Sequence, residues 1–228
     1  MSEQSAPDQQ SAPDQQPALD QESARAWMAG TAEAVARERD RLTELDAAIG
    51  DGDHGVNLQR GFAAVQAALG SAPEPATPGA VLAKAGTTLI SSVGGASGPL
   101  YGSALRTLGK SLGEAAEADG RTLSAALAAA LETLQQLGGA QPGDKTMVDA
   151  WGPAVTAFSD AVEGGGSPAA AATAAAAAAD RAAVATTPLQ ARKGRASYLG
   201  ERSTGHQDPG ATSTALLFRA LAEALHGG

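Results

Sequence analysis

The 228-residue sequence contains no cysteine and few aromatic residues. The absence of cysteine excludes disulfide bonds and thiolate metal sites, which fits a reducing cytoplasm. Aromatic residues make up only 3% of the chain, so the core must be built from leucine, valine, isoleucine and many alanine contacts. The N-terminus has no positive segment followed by an apolar run, and no apolar run reaches membrane-spanning length. We therefore expect a cytoplasmic protein that is not inserted in a membrane.

Basic residues are outnumbered by acidic ones. The formal net charge is -9, and the isoelectric point is about 4.8. This balance argues against binding of nucleic acid or anionic lipid through a general basic surface. Any bound phosphate must therefore be held by a local group of residues.

The chain divides into a short polar tail and one domain. Residues 1–22 contain the hexapeptide Ser-Ala-Pro-Asp-Gln-Gln twice in tandem, and such a segment has nothing to bury, so we expect a disordered tail. Residues 23–228 are a suitable length for one domain. Apolar residues recur there at helical spacing, and no segment has the pattern of a credible strand. The sequence therefore predicts an all-α fold, an antiparallel eight-helix bundle or barrel.

Capping residues and prolines indicate where several of these helices begin. The first helix is expected over about residues 22–45, the second over 56–69 and the fourth over 99–118. The other helices are expected to start at residues typical of helix N-termini, namely Thr77-Pro78, Thr122, Asp144, Ser167-Pro168 and Asp208-Pro209.

The segment from Asp46 to Asn57 places Asp46, Asp51 and Asp53 close together among glycines. The glycines let the backbone turn the carboxylate oxygens toward one point, where a cation would offset their repulsion. Mg²⁺ prefers such oxygens and leaves positions for water or phosphate. A calcium loop of the EF-hand type is excluded, because the twelfth position from Asp51 is Phe62 instead of glutamate. The alternative left open is a solvated acidic loop.

Two further segments have compositions that suit phosphate binding. Residues 94–102 combine four glycines with Ser97, although a plain turn between helices explains them equally well. Residues 189–210 concentrate four basic side chains before a helix start, Arg192, Lys193, Arg195 and Arg202. These residues predict a phosphate clamp, with a solvated loop as the alternative.

The glycine-rich turns also suggest where a site would lie. They fall at residues 50–55, 94–102, 138–143 and 205–210, each between helices of opposite direction in an up-and-down bundle. All four can then lie at the same end, which predicts one composite site on one rim. A Walker nucleotide fold is excluded, because Asp144 interrupts the P-loop pattern before Lys145 and no strand precedes it. We assign Asp144, Lys145 and Thr146 to helix capping and packing, and Met147 with Trp151 to the core on spacing alone.

Taken together, these motifs resemble the nucleotide-binding L subunit, or L domain, of dihydroxyacetone kinases. The matching segments occur in the family's order over residues 23–228 and are Asp46–Asn57, Gly94–Tyr101, Gly143–Asp149, Lys193–Tyr198 and Gly205–Gly210. The resemblance implies an eight-helix barrel that holds ADP or ATP and two Mg²⁺ ions at one rim.

The resemblance also implies roles for individual residues. Asp46, Asp51 and Asp53 would bind the two Mg²⁺ ions and, with Arg195, form the catalytic set. Met147 would contact adenine instead of belonging only to the core. The implied nucleotide contacts are His54, Gly55, Val56, Asn57, Ala96, Ser97, Gly138, Met147, Arg195, Asp208, Pro209 and Gly210.

The implied partners are two other proteins of the same system. A separate K subunit would hold dihydroxyacetone covalently through a histidine, and a phosphohistidine donor subunit of the phosphotransferase system would rephosphorylate bound ADP. An L chain without a K domain favours this relay. The alternatives are a subunit of an ATP-dependent kinase of dihydroxyacetone or a related small sugar, and a nucleotide-sensing partner of a transcriptional regulator.

Overall fold

The computed structural model describes residues 19–71 and 75–227. The tandem hexapeptides of the predicted tail lie outside the described residues. Leu19 is buried, and Asp20 caps the first helix by accepting a hydrogen bond from the Ser23 backbone N–H. The last four residues assigned to the tail, 19–22, therefore pack with the domain.

The described residues form an all-α fold, as the sequence predicts. They contain nine α-helices, one 3₁₀ helix at Arg195–Ser203, and a pair of two-residue antiparallel strands, β1 (Leu19–Asp20) and β2 (Glu117–Ala118). The α-helices are α1 Gln21–Arg37, α2 Arg39–Ile49, α3 His54–Leu69, α4 Pro78–Ser92, α5 Ser97–Leu112, α6 Gly120–Gly138, α7 Met147–Glu163, α8 Pro168–Ala185 and α9 Pro209–His226.

Two helix boundaries differ from the sequence prediction. The first predicted helix is two helices, α1 and α2, which meet at Glu38 and bring the count above eight. Helix α5 ends at Leu112 instead of continuing to Ala118, because Gly113 adopts a φ of 65° that an L-residue rarely takes.

The predicted N-caps are correct for three helices. Thr77 caps α4, Ser167 caps α8 and Asp208 caps α9, each by accepting a backbone N–H in the first turn.

Two other capping predictions are wrong. Asp119, and not Thr122, caps α6, because its carboxylate accepts the Thr122 N–H at 2.7 Å. Thr146, and not Asp144, caps α7, where it forms a capping box with Asp149.

Most of the few aromatic residues lie inside the bundle. Trp27, Trp151, Phe158 and Phe218 are fully buried, and the rings of Trp151 and Phe218 meet edge to face with centroids 5.2 Å apart. Each such burial stabilises the fold by about 1.5 to 3 kcal/mol. Trp151 is therefore a core residue, as predicted from its spacing.

Helices α4 and α5 form a hairpin whose backbones are in contact. A Cβ atom on Gly86 would lie 2.4 Å from the carbonyl oxygen of Gly102, and one on Gly109 would lie 2.4 Å from that of Gly79. Only glycine permits this approach. Along the part of the chain that the structure describes, none of the helices has the length and apolar character needed to cross a membrane.

Candidate functional site

A cavity of about 490 Å³ opens where the glycine-rich turns come together. Residues from all four predicted turn regions line it, so the structure forms the composite site at one rim. The lining contains most of the predicted site residues, namely Asp46, Asp51, Asp53, His54, Ala96, Ser97, Gly138, Met147, Arg195, Asp208, Pro209 and Gly210.

Three carboxylates form a compact acidic group in this cavity, which we call the carboxylate triad: Asp46, Asp51 and Asp53. Each offers one oxygen, and these oxygens lie within 4.8 Å of one another. The Asp46 Oδ2 atom accepts the backbone N–H groups of Asp53 at 2.8 Å and of His54 at 3.1 Å. These bonds fix the Asp46 carboxylate at the start of α3.

Glycine is required beside the triad for steric reasons. A Cβ atom on Gly50 would lie 2.3 Å from Oδ1 of Asp46, so any larger residue would displace that carboxylate. The Asp46 carboxylate can therefore keep this position only because residue 50 has no side chain.

The donor set of the triad fits a hard divalent cation. Arg195 forms an ion pair with the triad, with its Nε 3.1 Å from Oδ2 of Asp51. The Arg195 side chain is 69% exposed, so this pair by itself stabilises the fold by no more than about 1 kcal/mol. Three carboxylates beside one guanidinium leave negative charge that Mg²⁺, with its preference for carboxylate oxygens, would neutralise.

A buried hydrogen-bond network supports the cavity behind the triad. His54 Nδ1 lies 3.1 Å from the Ser97 hydroxyl, and His54 Nε2 lies 2.9 Å from the Ser213 hydroxyl. The Ser213 hydroxyl lies 2.7 Å from the Tyr101 hydroxyl, which also donates to the Gly210 carbonyl oxygen at 3.0 Å. The network therefore joins α3, α5 and the first turn of α9.

Burial sets the protonation of this network. It lowers the pKa of His54, against the opposing negative charges of Asp46 and Asp53. It raises the pKa of the Tyr101 phenol, against hydrogen bonds to Ser213 and Thr214. Both groups are therefore neutral at neutral pH.

Asp208 connects the cavity to the N-terminus of α9. Its Oδ2 accepts the Ala211 N–H at 2.6 Å, while burial raises its pKa to about 7. Pro209 and Gly210 follow in the first turn, where the Gly210 N–H and the helix dipole favour an anion.

The rest of the cavity provides an apolar surface. Met147 is buried at the start of α7 and lines the cavity, as do residues of α5, α6 and α7, namely Pro99, Leu100, Leu134, Leu137 and Val148. Apolar side chains beside a few polar groups are typical of a site for a flat organic ligand. Met147 thus serves the cavity as well as the core.

Three predicted contacts lie outside the cavity lining. Gly55 packs on α2, where a Cβ atom would meet the Arg39 carbonyl oxygen. Val56 is 48% exposed, and the Asn57 side-chain oxygen accepts a hydrogen bond from Arg60 at 2.9 Å. Their roles as ligand contacts stay predictions.

Sequence reasoning missed the supporting roles of Tyr101, Ser213 and Lys145. Tyr101 lies in the glycine-rich segment 94–102, and this position could have suggested a role at the site. Lys145 was assigned to packing, and its side chain is buried, where burial lowers the pKa of the ammonium against the opposing charge of Asp208.

Comparison with known proteins assigns the chain to a family. A family model described as the DAK2 domain matches residues 48–223. The chain is 42% identical over 199 residues to the ADP-binding subunit DhaL of PEP-dependent dihydroxyacetone kinase 1 from Listeria innocua, covering 87% of this chain and 93% of that one. It is 41% identical over 207 residues to the corresponding DhaL subunit of Escherichia coli, covering 86% and 93%.

A solved structure agrees with this assignment. The crystal structure of the dihydroxyacetone kinase of C. freundii matches with a TM-score of 0.67 and 25% identity. The match covers 98% of this chain but only 38% of that kinase. Sequence, fold and the carboxylate-lined cavity agree, and the chain belongs to the DAK2 domain family.

Proposed function

We propose that this chain is the ADP-binding phosphotransferase subunit of a dihydroxyacetone kinase. In this proposal, bound ADP accepts a phosphoryl group from a phosphohistidine donor subunit and passes it to dihydroxyacetone on a separate K subunit. The observation that carries the proposal is the carboxylate triad, which shares one cavity with an apolar surface and a helix N-terminus. The nearly full-length match to subunits named ADP-binding and PEP-dependent supports it.

The carboxylate triad would hold two Mg²⁺ ions. When bound, these ions would neutralise charge on the phosphate oxygens and align them for in-line transfer. The residues of the chain have simpler tasks: Asp46 is fixed by two backbone N–H groups, and Arg195 beside Asp51 provides a positive charge that faces the ligand.

Other parts of the cavity would bind the rest of the nucleotide. The Gly210 N–H, in the first turn of α9, would hold a phosphate oxygen. Met147 and the neighbouring leucines would contact the adenine ring, for which apolar surface is suitable. Ser97 would donate a hydroxyl, held by its hydrogen bond to His54. These contacts bind and orient the nucleotide and keep water away from it.

The histidine in the cavity does not suit the role of phosphoryl carrier. His54 is buried, and both of its ring nitrogens lie within hydrogen-bond distance of serine hydroxyls. A phosphorylated histidine needs a free ring nitrogen that a donor can reach. This arrangement supports a donor histidine on a separate subunit.

The first experiment is to identify the nucleotide that stays with the purified protein. The protein is desalted, with and without EDTA, then denatured, and released nucleotide is quantified. We expect the wild-type protein to release a stoichiometric amount of ADP without EDTA treatment and none after it. The variant Asp51→Asn should release much less ADP than the wild type. The variant Lys110→Met, at an exposed site on α5, serves as the control.

Two other results would redirect the proposal. Ready exchange with free ATP, and turnover with ATP and a K subunit in the absence of a phosphohistidine donor, would support the ATP-dependent alternative. Failure to bind ADP or ATP even with Mg²⁺ present would contradict the site assignment.

A further inference from the structure

The Lys145 ammonium is buried between segments that are distant in sequence. The residue is only 1% exposed, and its Nζ donates to the carbonyl oxygens of Ser203 at 2.7 Å, Leu189 at 2.9 Å and Thr187 at 3.4 Å. An ammonium has three donors and no acceptor, so these contacts use its full hydrogen-bonding capacity.

The backbone at Lys145 is unusual as well. Its φ is 62°, and it is the one non-glycine residue with positive φ among the described residues. This left-handed conformation is unfavourable for a residue with a long side chain, and the surrounding contacts must stabilise it. The next residue, Thr146, caps α7, so the same turn starts the helix and directs the ammonium inward.

The three carbonyl groups lie at the two ends of one loop. We call residues 190–202 the basic loop, because they contain the cations Arg192, Lys193, Arg195 and Arg202. Thr187 and Leu189 precede this loop, and Ser203 follows it. The Ser203 hydroxyl accepts the Ala191 N–H at 2.9 Å, so the ends of the loop are also joined directly. Lys145 therefore holds the base of the basic loop closed.

The basic loop carries side chains into the candidate site. Lys193 and Arg195 line the cavity, and Arg195 reaches Asp51 of the carboxylate triad. The Arg192 N–H also donates to the Asp144 carbonyl at 3.0 Å, so the loop is attached to the turn that contains Lys145. The position of the cavity cations thus depends on this turn.

We propose that Lys145 is a positioning residue, whose buried ammonium holds the basic loop so that Arg195 stays beside the carboxylate triad before a ligand binds. A lysine suits this task because carbonyl oxygens from both ends of the loop converge on one point, where they need a donor with several N–H groups. Its effect on ligand binding rests on the proposed function, whereas its effect on the loop does not.

The first test measures the loop in the absence of nucleotide. The variants are Lys145→Met, which keeps the length of the side chain but removes its donors, Lys145→Arg, which keeps the charge, and Lys110→Met as the control. Limited trypsin digestion followed by mass spectrometry reports cleavage after the four basic residues of the loop. We expect Lys145→Met to be cut there several-fold faster with unchanged helical circular dichroism, Lys145→Arg to be intermediate, and the control to match the wild type. Cleavage of Lys145→Met at the wild-type rate would overturn the proposal.

A second measurement uses the wild-type chain and does not depend on how the variants fold. Amine-reactive labelling of the native protein is followed residue by residue. We expect Lys110 to react readily and Lys145 to react only after denaturation, because its ammonium is buried and fully hydrogen-bonded. Equal reactivity of the two lysines in the native protein would also overturn the proposal.

The third measurement asks whether Lys145 acts through Arg195. ADP affinity with Mg²⁺ is determined for the wild type, Lys145→Met, Arg195→Gln and the double variant. We expect Lys145→Met to weaken binding about tenfold when Arg195 is present and less than about twofold when it is absent, as for coupled residues. An equal loss in both backgrounds would indicate a general structural effect and refute the positioning role. If wild-type protein binds no ADP, the proposed function fails, while the digestion and labelling results still decide the role of Lys145 in the loop.

Discussion

Replacing Tyr101 with phenylalanine removes a single oxygen atom from the network behind the carboxylate triad. That oxygen lies 2.7 Å from the Ser213 hydroxyl, 2.8 Å from the Thr214 hydroxyl and 3.0 Å from the Gly210 carbonyl oxygen. The Gly210 carbonyl keeps a donor, because the Ser213 hydroxyl also donates to it at 3.0 Å. The Ser213 hydroxyl also keeps its contact with His54 Nε2, so the cost comes mainly from the Thr214 hydroxyl, which loses its buried partner.

The magnitude follows from these contacts. A buried polar group left without a partner costs about 1 to 3 kcal/mol, so we expect Tyr101→Phe to lower the free energy of unfolding by about 2 kcal/mol. For a domain of this size, that loss lowers the melting temperature by about 4 to 8 °C. Urea unfolding should show a lower midpoint with an unchanged slope, because the variant exposes the same surface when it unfolds.

The matched control is the other tyrosine. Tyr198 is 89% exposed in the 3₁₀ helix, so Tyr198→Phe should change the free energy of unfolding by less than about 0.5 kcal/mol. If the two variants melt at the same temperature, the buried network does not stabilise the domain as described, and the reasoning is refuted.

Two further predictions concern the triad and the start of α9. Gly50→Ala places a methyl group against the Asp46 carboxylate, so Mg²⁺-dependent ADP retention should fall by about tenfold or more with unchanged helical content. The control is Gly152→Ala, because a Cβ atom at residue 152 meets nothing within 4 Å. Equal ADP retention by the two variants would contradict the steric role of Gly50. Because burial raises the pKa of Asp208 to about 7, its contribution to stability is fully present below pH about 3.8 and is lost as the pH rises through 7, at about 1.4 kcal/mol per pH unit in between. The free energy of unfolding of the wild type and of Asp208→Asn is measured by chemical denaturation across this pH range. The difference between the two proteins should fall up to pH about 7 and then level off. A difference that does not change with pH would show that Asp208 does not titrate in this way.

Local chemistry made part of the fold predictable. Thr77, Ser167 and Asp208 cap their helices as expected, because an N-cap interaction involves only a side chain and the next turn. The break at Glu38 was missed, since no glycine or proline occurs there. The helix after that break, α2, begins at Arg39, and Gly55 of α3 packs against the Arg39 carbonyl oxygen. Such a contact between α2 and α3 is not encoded in helical periodicity.

The candidate site was predictable to a similar extent. The carboxylate triad comes from one short segment, and the spacing of its residues therefore indicated a cation site. The contacts of Lys145 could not be predicted, because its partners are backbone carbonyl groups that every residue possesses. The buried network of Tyr101 depends in the same way on how α5 packs against α9, since side-chain type alone does not specify a partner.

The backbone contact between α4 and α5 has a mechanical consequence for ligand exchange. Sliding or rotation of either helix would drive the carbonyl groups of Gly79 and Gly102 into the facing glycines, so the hairpin behaves as a stiff unit. Ala96 and Ser97 lie at its tip, and folding fixes their position. The exposed Arg195 side chain lies on the basic loop, whose base is held by Lys145. We therefore expect Ala96 and Ser97 to keep their positions as a nucleotide enters or leaves, so that adjustment at the entrance is confined to exposed side chains such as Arg195.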